Sequence, residues 1–154
     1  MAGIYIHIPF CKQACYYCNF HFSTSFESYR SEMIASICAE LKLKKSIFKG
    51  VNIQTVYFGG GTPSLLENHE IDSILLILYD NYEMSSVEEV TIEANPEDVS
   101  LKKLKHWKSK GINRVSLGIQ SFFEHDLQQM NRVHDSKQAL QAIEYIKSAG
   151  FDNF

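Results

Sequence analysis

Val90-Thr91-Ile92-Glu93-Ala94-Asn95-Pro96 and Val115-Ser116-Leu117-Gly118-Ile119, with the helical run between them, read as one complete strand–helix–strand unit. The first stretch is β-branched and stops at Asn-Pro, which favours a turn. Ser100 then stands where a helix N-cap belongs, and Leu101, Leu104 and Trp107 recur at helical spacing until Gly111 ends the helix. A connection of this length suits a crossover between parallel strands, which need a dozen or more residues to return.

The same unit repeats upstream. Thr55-Val56-Tyr57-Phe58 is a compact strand that Gly59-Gly60-Gly61 should halt. Ser64-x-x-Glu67 offers a capping box before Ile71, Ile74, Leu75 and Leu78. Earlier still, Tyr5, Ile6 and Ile8 form a short strand ended by Pro9. Thr24-x-x-Glu27 offers another capping box before Met33, Ile34, Ile37, Cys38 and Leu41. Downstream, a short helix is expected over 126–130 and a longer one over 136–149. Strand and helix thus alternate four times, which predicts an α/β domain over 1–154, either doubly wound or part of a barrel. Ser148-Ala149-Gly150-Phe151-Asp152 repeats the design of Ser109-Lys110-Gly111-Ile112-Asn113, which precedes the fourth strand. Phe154 should therefore open a fifth strand, and the chain reads as truncated there; a four-stranded domain with a short tail is the alternative.

The 154 residues are 45% hydrophobic, enough to bury one core, so a single domain is expected. A net charge of −3 with no basic face argues against nucleic acid as a partner. No apolar stretch approaches the roughly 20 residues of a membrane span, and the N-terminus lacks the features of a signal peptide. A cytoplasmic location is expected. In that reducing compartment, clustered thiols point to metal rather than disulfides. Three of the four cysteines form Cys11-x3-Cys15-x2-Cys18; Cys38, alone on an apolar helical face, reads as core packing.

In parallel α/β folds ligands gather beyond the carboxyl ends of the strands. Strand one leads to the cysteines, strand two to Gly59-Gly60-Gly61-Thr62-Pro63, strand three to Glu93-Ala94-Asn95-Pro96 and strand four to Gln120. All four should converge on one rim. Three thiolates can hold three irons of a 4Fe-4S cubane and leave the fourth open to a small-molecule chelator, whereas electron-transfer clusters take four cysteines. A zinc site completed by His21 is the competing reading, although zinc ligands usually come as two separated pairs. The glycines should bring backbone close to a ligand and expose its N–H and C=O groups. Glu93 could bind a ribose hydroxyl or an ammonium, and Arg132 a carboxylate; each, like Gln120, could equally face water.

Gly3-Ile4-Tyr5-Ile6-His7-Ile8-Pro9-Phe10-Cys11-x3-Cys15-x-Tyr17-Cys18 resembles the signature of radical S-adenosylmethionine (SAM) enzymes. More narrowly it resembles the branch that contains oxygen-independent coproporphyrinogen III oxidase and the haem chaperone. Phe58-Gly59-Gly60-Gly61-Thr62-Pro63-Ser64, Glu93-Ala94-Asn95-Pro96, Ser116-Leu117-Gly118-Ile119-Gln120-Ser121-Phe122 and Asn131-Arg132 are similar to further blocks in order. The resemblance implies about four βα units of a (β/α)6 partial TIM-type barrel. It implies that Cys11, Cys15 and Cys18 bind the cluster and that SAM chelates its open iron. It places Gly60, Gly61 and Thr62 at the cofactor's amino-acid end, with Glu93, Gln120 and Arg132 against the rest and Tyr5 and Tyr17 lining the same pocket. It further implies haem or porphyrin as the molecule handled and an electron-donor protein as partner. The decarboxylating oxidase carries one more cysteine two positions after the last ligand, where this chain has Phe20. That substitution, with His21-Phe22-Ser23-Thr24-Ser25, is closer to the haem-chaperone group. The oxidase, and a non-catalytic zinc- or cluster-binding module, are the alternatives.

Overall fold

The computed structural model describes residues 2–154. Four parallel strands, β1 (Ala2–Ile8), β2 (Ile53–Gly60), β3 (Glu89–Ala94) and β4 (Arg114–Leu117), form one sheet in the order β1-β2-β3-β4. The helices are α1 (Arg30–Lys44), α2 (Asn68–Asn81), α3 (Leu101–Ser109), α4 (Glu124–Gln129) and α5 (Ser136–Ser148). Strand order decides between the two architectures that alternation alone allows. A doubly wound sheet reverses its strand order at a switch point; this one never does. Right-handed crossovers in unbroken order put the connecting helices on one face, and α1 packs on α2, α2 on α3, and α3 on α5. The result is a segment of a barrel wall.

Period-two alternation divides the sheet chemically. Ile4, Ile6, Ile8, Val56, Phe58, Val90, Ile92, Ala94 and Val115 are buried on the helix side. They pack with Ile34, Leu41, Ile71, Leu78, Leu104, Trp107 and Ile146. Full burial of each large apolar side chain contributes about 1.5–3 kcal/mol before entropy is counted. The other face carries Tyr5, His7, Tyr57, Thr91, Glu93 and Ser116, a polar wall turned toward the barrel interior.

Both expected capping boxes move. α1 starts at Arg30, after a turn in which the Tyr29 N–H donates to the Phe26 carbonyl, so Thr24 caps nothing. Arg30 instead forks onto Glu70 (2.8 and 2.6 Å) and donates to the Leu65 carbonyl. That pair ties α1 to α2. Ser64 is fully buried, donating to Asp98 and accepting from the Asn95 N–H. With Ser64 so engaged, Glu67 becomes the N-cap of α2, and Glu70 reaches back to its N–H at 2.7 Å. Ser100 does cap α3, accepting from the Lys103 N–H. β2 runs on through Gly60 rather than halting at Phe58, because Gly59 and Gly60 continue the ladder opposite His7 and Ile8. β4 stops at Leu117, two residues early. After α5, Phe151 is buried and the Asn153 carbonyl accepts from the Val115 N–H, so this segment starts along the free side of β4. Among the described residues no helix is long and apolar enough to cross a membrane.

Candidate cofactor site

The cysteine loop leaves β1 at Pro9 and is tied down at several points. Phe10 bridges to Ser23, and the Cys11 N–H donates to the Ser23 carbonyl. On its far side Gln13 donates to the Asn131 carbonyl and side-chain oxygen (2.9 and 2.6 Å), and Asn131 donates back to the Ala14 carbonyl. The Tyr16 N–H reaches the Met130 carbonyl. Asn131 holds φ +58°, a conformation asparagine tolerates better than most residues. Lys12 pairs with Asp98, which is almost wholly buried. These contacts carry the loop over the carboxyl ends of the strands.

Beneath the loop lies a cleft of about 210 Å³, lined among others by Cys15, Tyr17, Cys18, Gly60, Gly61 and Thr62. Glu93, Gln120 and Arg132 complete it, so most of the residues singled out from sequence meet here. Cys11 sits at its edge, its Sγ 3.6 Å from Thr62 Oγ1. Tyr5 does not reach the cleft. It lines a separate groove of about 490 Å³ between the free edge of β1 and α1. The register explains this: Tyr5 pairs with Tyr57, three positions below Ile8↔Gly60 at the strand ends, and stacks on the Tyr57 ring.

The glycine loop differs from expectation in what it offers. Its N–H groups are used within the chain: Gly60 donates to Glu93 Oε2 (3.1 Å), Gly61 to the Ile8 carbonyl (2.8 Å) and Thr62 to the Phe10 carbonyl (2.7 Å). Gly60 has φ +114°, and a Cβ there would meet the His7 ring at 2.6 Å. A Cβ on Gly61 would lie 2.6 Å from the Phe10 carbonyl oxygen. The glycines thus let β2 and the cysteine loop close on each other; they supply room and proximity, not donors.

Glu93 also accepts from the Tyr57 hydroxyl at 2.7 Å, and burial followed by this carboxylate pushes the Tyr57 phenol up. Burial and the same carboxylate raise Tyr5. Arg132 is the hub of the opposite wall. It donates to Asn95 Oδ1 (2.6 Å), the Gly118 carbonyl (2.8 Å), the Tyr17 hydroxyl and Cys15 Sγ (both 3.3 Å). Its Nε is buried without a partner. Asn95 in turn donates to Thr62 Oγ1. Asn95 and Gln13 were not singled out from sequence, although Asn95 lies inside a quoted motif; side-chain amides give no periodic signal.

None of the four cysteines is in a disulfide. Burial raises the Cys11 thiol, and so do Cys18 and Cys15 beside it, against a lowering hydrogen bond with Thr62. A cationic iron centre would stabilise these sulfurs as thiolates. Among the described residues no three His, Cys, Asp or Glu side chains converge as a single ion requires. A cubane takes one thiolate per iron at separate corners, so the donor set and the adjoining cleft fit a cluster with a bound small molecule.

Parallel strands whose carboxyl ends gather a three-cysteine loop, a glycine turn and an arginine hub define a class, and comparison with known proteins agrees. The Radical SAM superfamily model matches residues 5–154, and the chain belongs to that superfamily. It is 35% identical over 149 residues to "Heme chaperone HemW" of Lactococcus lactis, covering 97% of this chain and 38% of that protein. To the oxygen-independent coproporphyrinogen III oxidase of Escherichia coli it is 27% identical over 150 residues, covering 97% of this chain and 33% of that protein. The chain therefore spans well under half the length of these relatives. The solved structure of the Escherichia coli coproporphyrinogen III oxidase superposes with a TM-score of 0.86 at 26% identity, covering 97% of this chain and 35% of that one. Native anSMEcpe with bound AdoMet shares the fold, at TM-score 0.67 and 18% identity over 96% of this chain and 41% of that one.

Proposed function

We propose that this chain is the cofactor-binding part of a haem-chaperone-type radical SAM protein, with Cys11, Cys15 and Cys18 holding a 4Fe-4S cluster. The observation that carries this reading is the cleft itself, where the cysteine loop faces Gly61, Thr62, Glu93 and Arg132 across about 210 Å³. When bound, the cluster supplies the electron that reductively cleaves the SAM sulfonium. The chain's own residues bind and orient. Gly60 and Gly61 let the strand end approach the cofactor's amino-acid end, Glu93 is an acceptor for its hydroxyl or ammonium groups, and Arg132 a donor for its carboxylate. Tyr17 and Phe20 flank the opening. The four unpaired cysteines are in keeping with a cytoplasmic location. An electron-donor protein is a required partner.

Phe20 favours haem handling over porphyrinogen decarboxylation. It lines the cleft where the oxidase pattern has a further thiol, and of eight similar curated proteins seven, at 31–38% identity, are haem chaperones by name against one oxidase at 27%. Anaerobically reconstituted protein, given SAM and a reductant, is expected to shift the Soret band of added haem and to leave coproporphyrinogen III unchanged. Appearance of the divinyl product would replace the chaperone reading with the oxidase.

A further inference from the structure

His134 belongs to none of the roles above, yet its side chain is completely buried beside the site. Its Nε2 lies 3.0 Å from the Ile119 carbonyl oxygen. A carbonyl only accepts, so Nε2 carries the proton. Nδ1 faces Glu97 Oε2 at 3.3 Å, and the Glu97 side chain is only 6% exposed. Neither of these two atoms has a hydrogen-bond partner, and the contact is attractive as an ion pair with a proton on Nδ1 as well.

The Ile119 carbonyl is already an unusual acceptor. It also takes the Ser121 N–H at 2.8 Å, closing a γ-turn around Gln120, whose φ is +66°. This positive-φ form of the γ-turn is rare and strained, and a non-glycine residue in such a conformation costs about 1–3 kcal/mol. Such strain persists only where surrounding structure over-determines it. Gln120 lines the cofactor cleft, so the strained turn is what aims this side chain. The second anchor is Glu97, whose carboxyl burial would raise but which His134, its own backbone and the Arg132 charge hold below its usual range.

We propose that His134 is a positioning residue for the cofactor site, its imidazole set between Glu97 and the Ile119 carbonyl so that the strained turn presents Gln120. The proposal rests on the radical SAM reading of the cleft. His134 touches neither the cysteines nor the cleft, so it acts only through these neighbours.

The test is a SAM titration of reconstituted wild type, His134→Ala and His134→Gln, followed by EPR of the reduced cluster and by equilibrium dialysis. Iron content and the EPR spectrum without SAM should be alike in all three, because the cysteine loop is untouched. His134→Ala should weaken SAM binding by about ten-fold or more, the range typical of residues that orient a ligand shell. His134→Gln keeps an N–H near the Nε2 position and should recover most of that loss. A purely structural role would lower the melting temperature and cluster content together, without a selective loss of SAM affinity. Equal SAM affinity in wild type and His134→Ala overturns the proposal. Should His134→Ala not fold, His134→Asn replaces it: it lacks reach to Ile119, and affinity equal to that of His134→Gln overturns the proposal. A wild type that does not respond to SAM overturns the cofactor reading, and this inference with it.

Discussion

Replacing Cys15 with alanine is expected to leave anaerobically reconstituted protein without the visible sulfur-to-iron absorbance, and with iron content near background. Each thiolate in a three-cysteine set holds its own iron, so one vacancy opens a second corner to solvent and the cubane is lost rather than weakened. Arg132 adds a second consequence, since its Nη1 donates to Cys15 Sγ. Losing the sulfur leaves that part of the guanidinium facing an empty corner. Two controls give the experiment its force. Cys38→Ala on α1, partly buried against the core, should retain full absorbance. His21→Ala should do so too, because its contact with the loop's surroundings is a backbone carbonyl accepting from His7. Metal lost on removing His21 would support the zinc alternative, and absorbance kept in Cys15→Ala would contradict the ligand assignment.

Gly61→Val should abolish the response to SAM and lower cluster content as well. The obstacle is backbone: a Cβ would sit 2.6 Å from the Phe10 carbonyl oxygen and 3.0 Å from that of Ile8. Those two carbonyls accept from Thr62 and Gly61, so neither can retreat without breaking the tie between β2 and the cysteine loop. Cys11 is the next residue along and moves with Phe10. Overpacking of this kind costs about 1–3 kcal/mol, enough to displace the loop without unfolding the sheet. Gly50→Ala is the matched control. Its φ of +76° makes alanine strained, but nothing lies within 4 Å of the new Cβ. That variant should lose about 1 kcal/mol in urea denaturation and keep both cluster and SAM response. If Gly61→Val binds SAM normally, the close approach of the two loops is not what shapes the cleft.

The strand–helix alternation was legible because burial imposes it: Val90 and Ile92, or Ile71, Ile74 and Leu78, must repeat with the period of their element. Convergence of Cys15, Gly61, Glu93, Gln120 and Arg132 was legible because parallel strands place their carboxyl ends together. What failed were local signals with several solutions. Ser64-x-x-Glu67 and Thr24-x-x-Glu27 satisfy a capping pattern, but Ser64 is held by Asp98 and Asn95 from distant turns, and Glu67 caps in its stead. The triple glycine looked like a strand stop with free amides; Ile8, Phe10 and Glu93 supply partners that no short-range pattern contains. Tyr5 lies one sheet level too low for the cleft because the β1–β2 register sets its height. His134 and Asn95 work through long-range hydrogen bonds, and no spacing rule encodes those.

The central claim is that the cluster on the cysteine loop has an iron open to SAM in the cleft formed by Gly61, Thr62, Glu93 and Arg132. Its most direct test is EPR of the dithionite-reduced, anaerobically reconstituted protein with and without SAM. The account predicts a 4Fe-4S signal whose g-values change when SAM is added, with the change saturating as the ligand is titrated. A cluster signal that SAM leaves unaltered would contradict it.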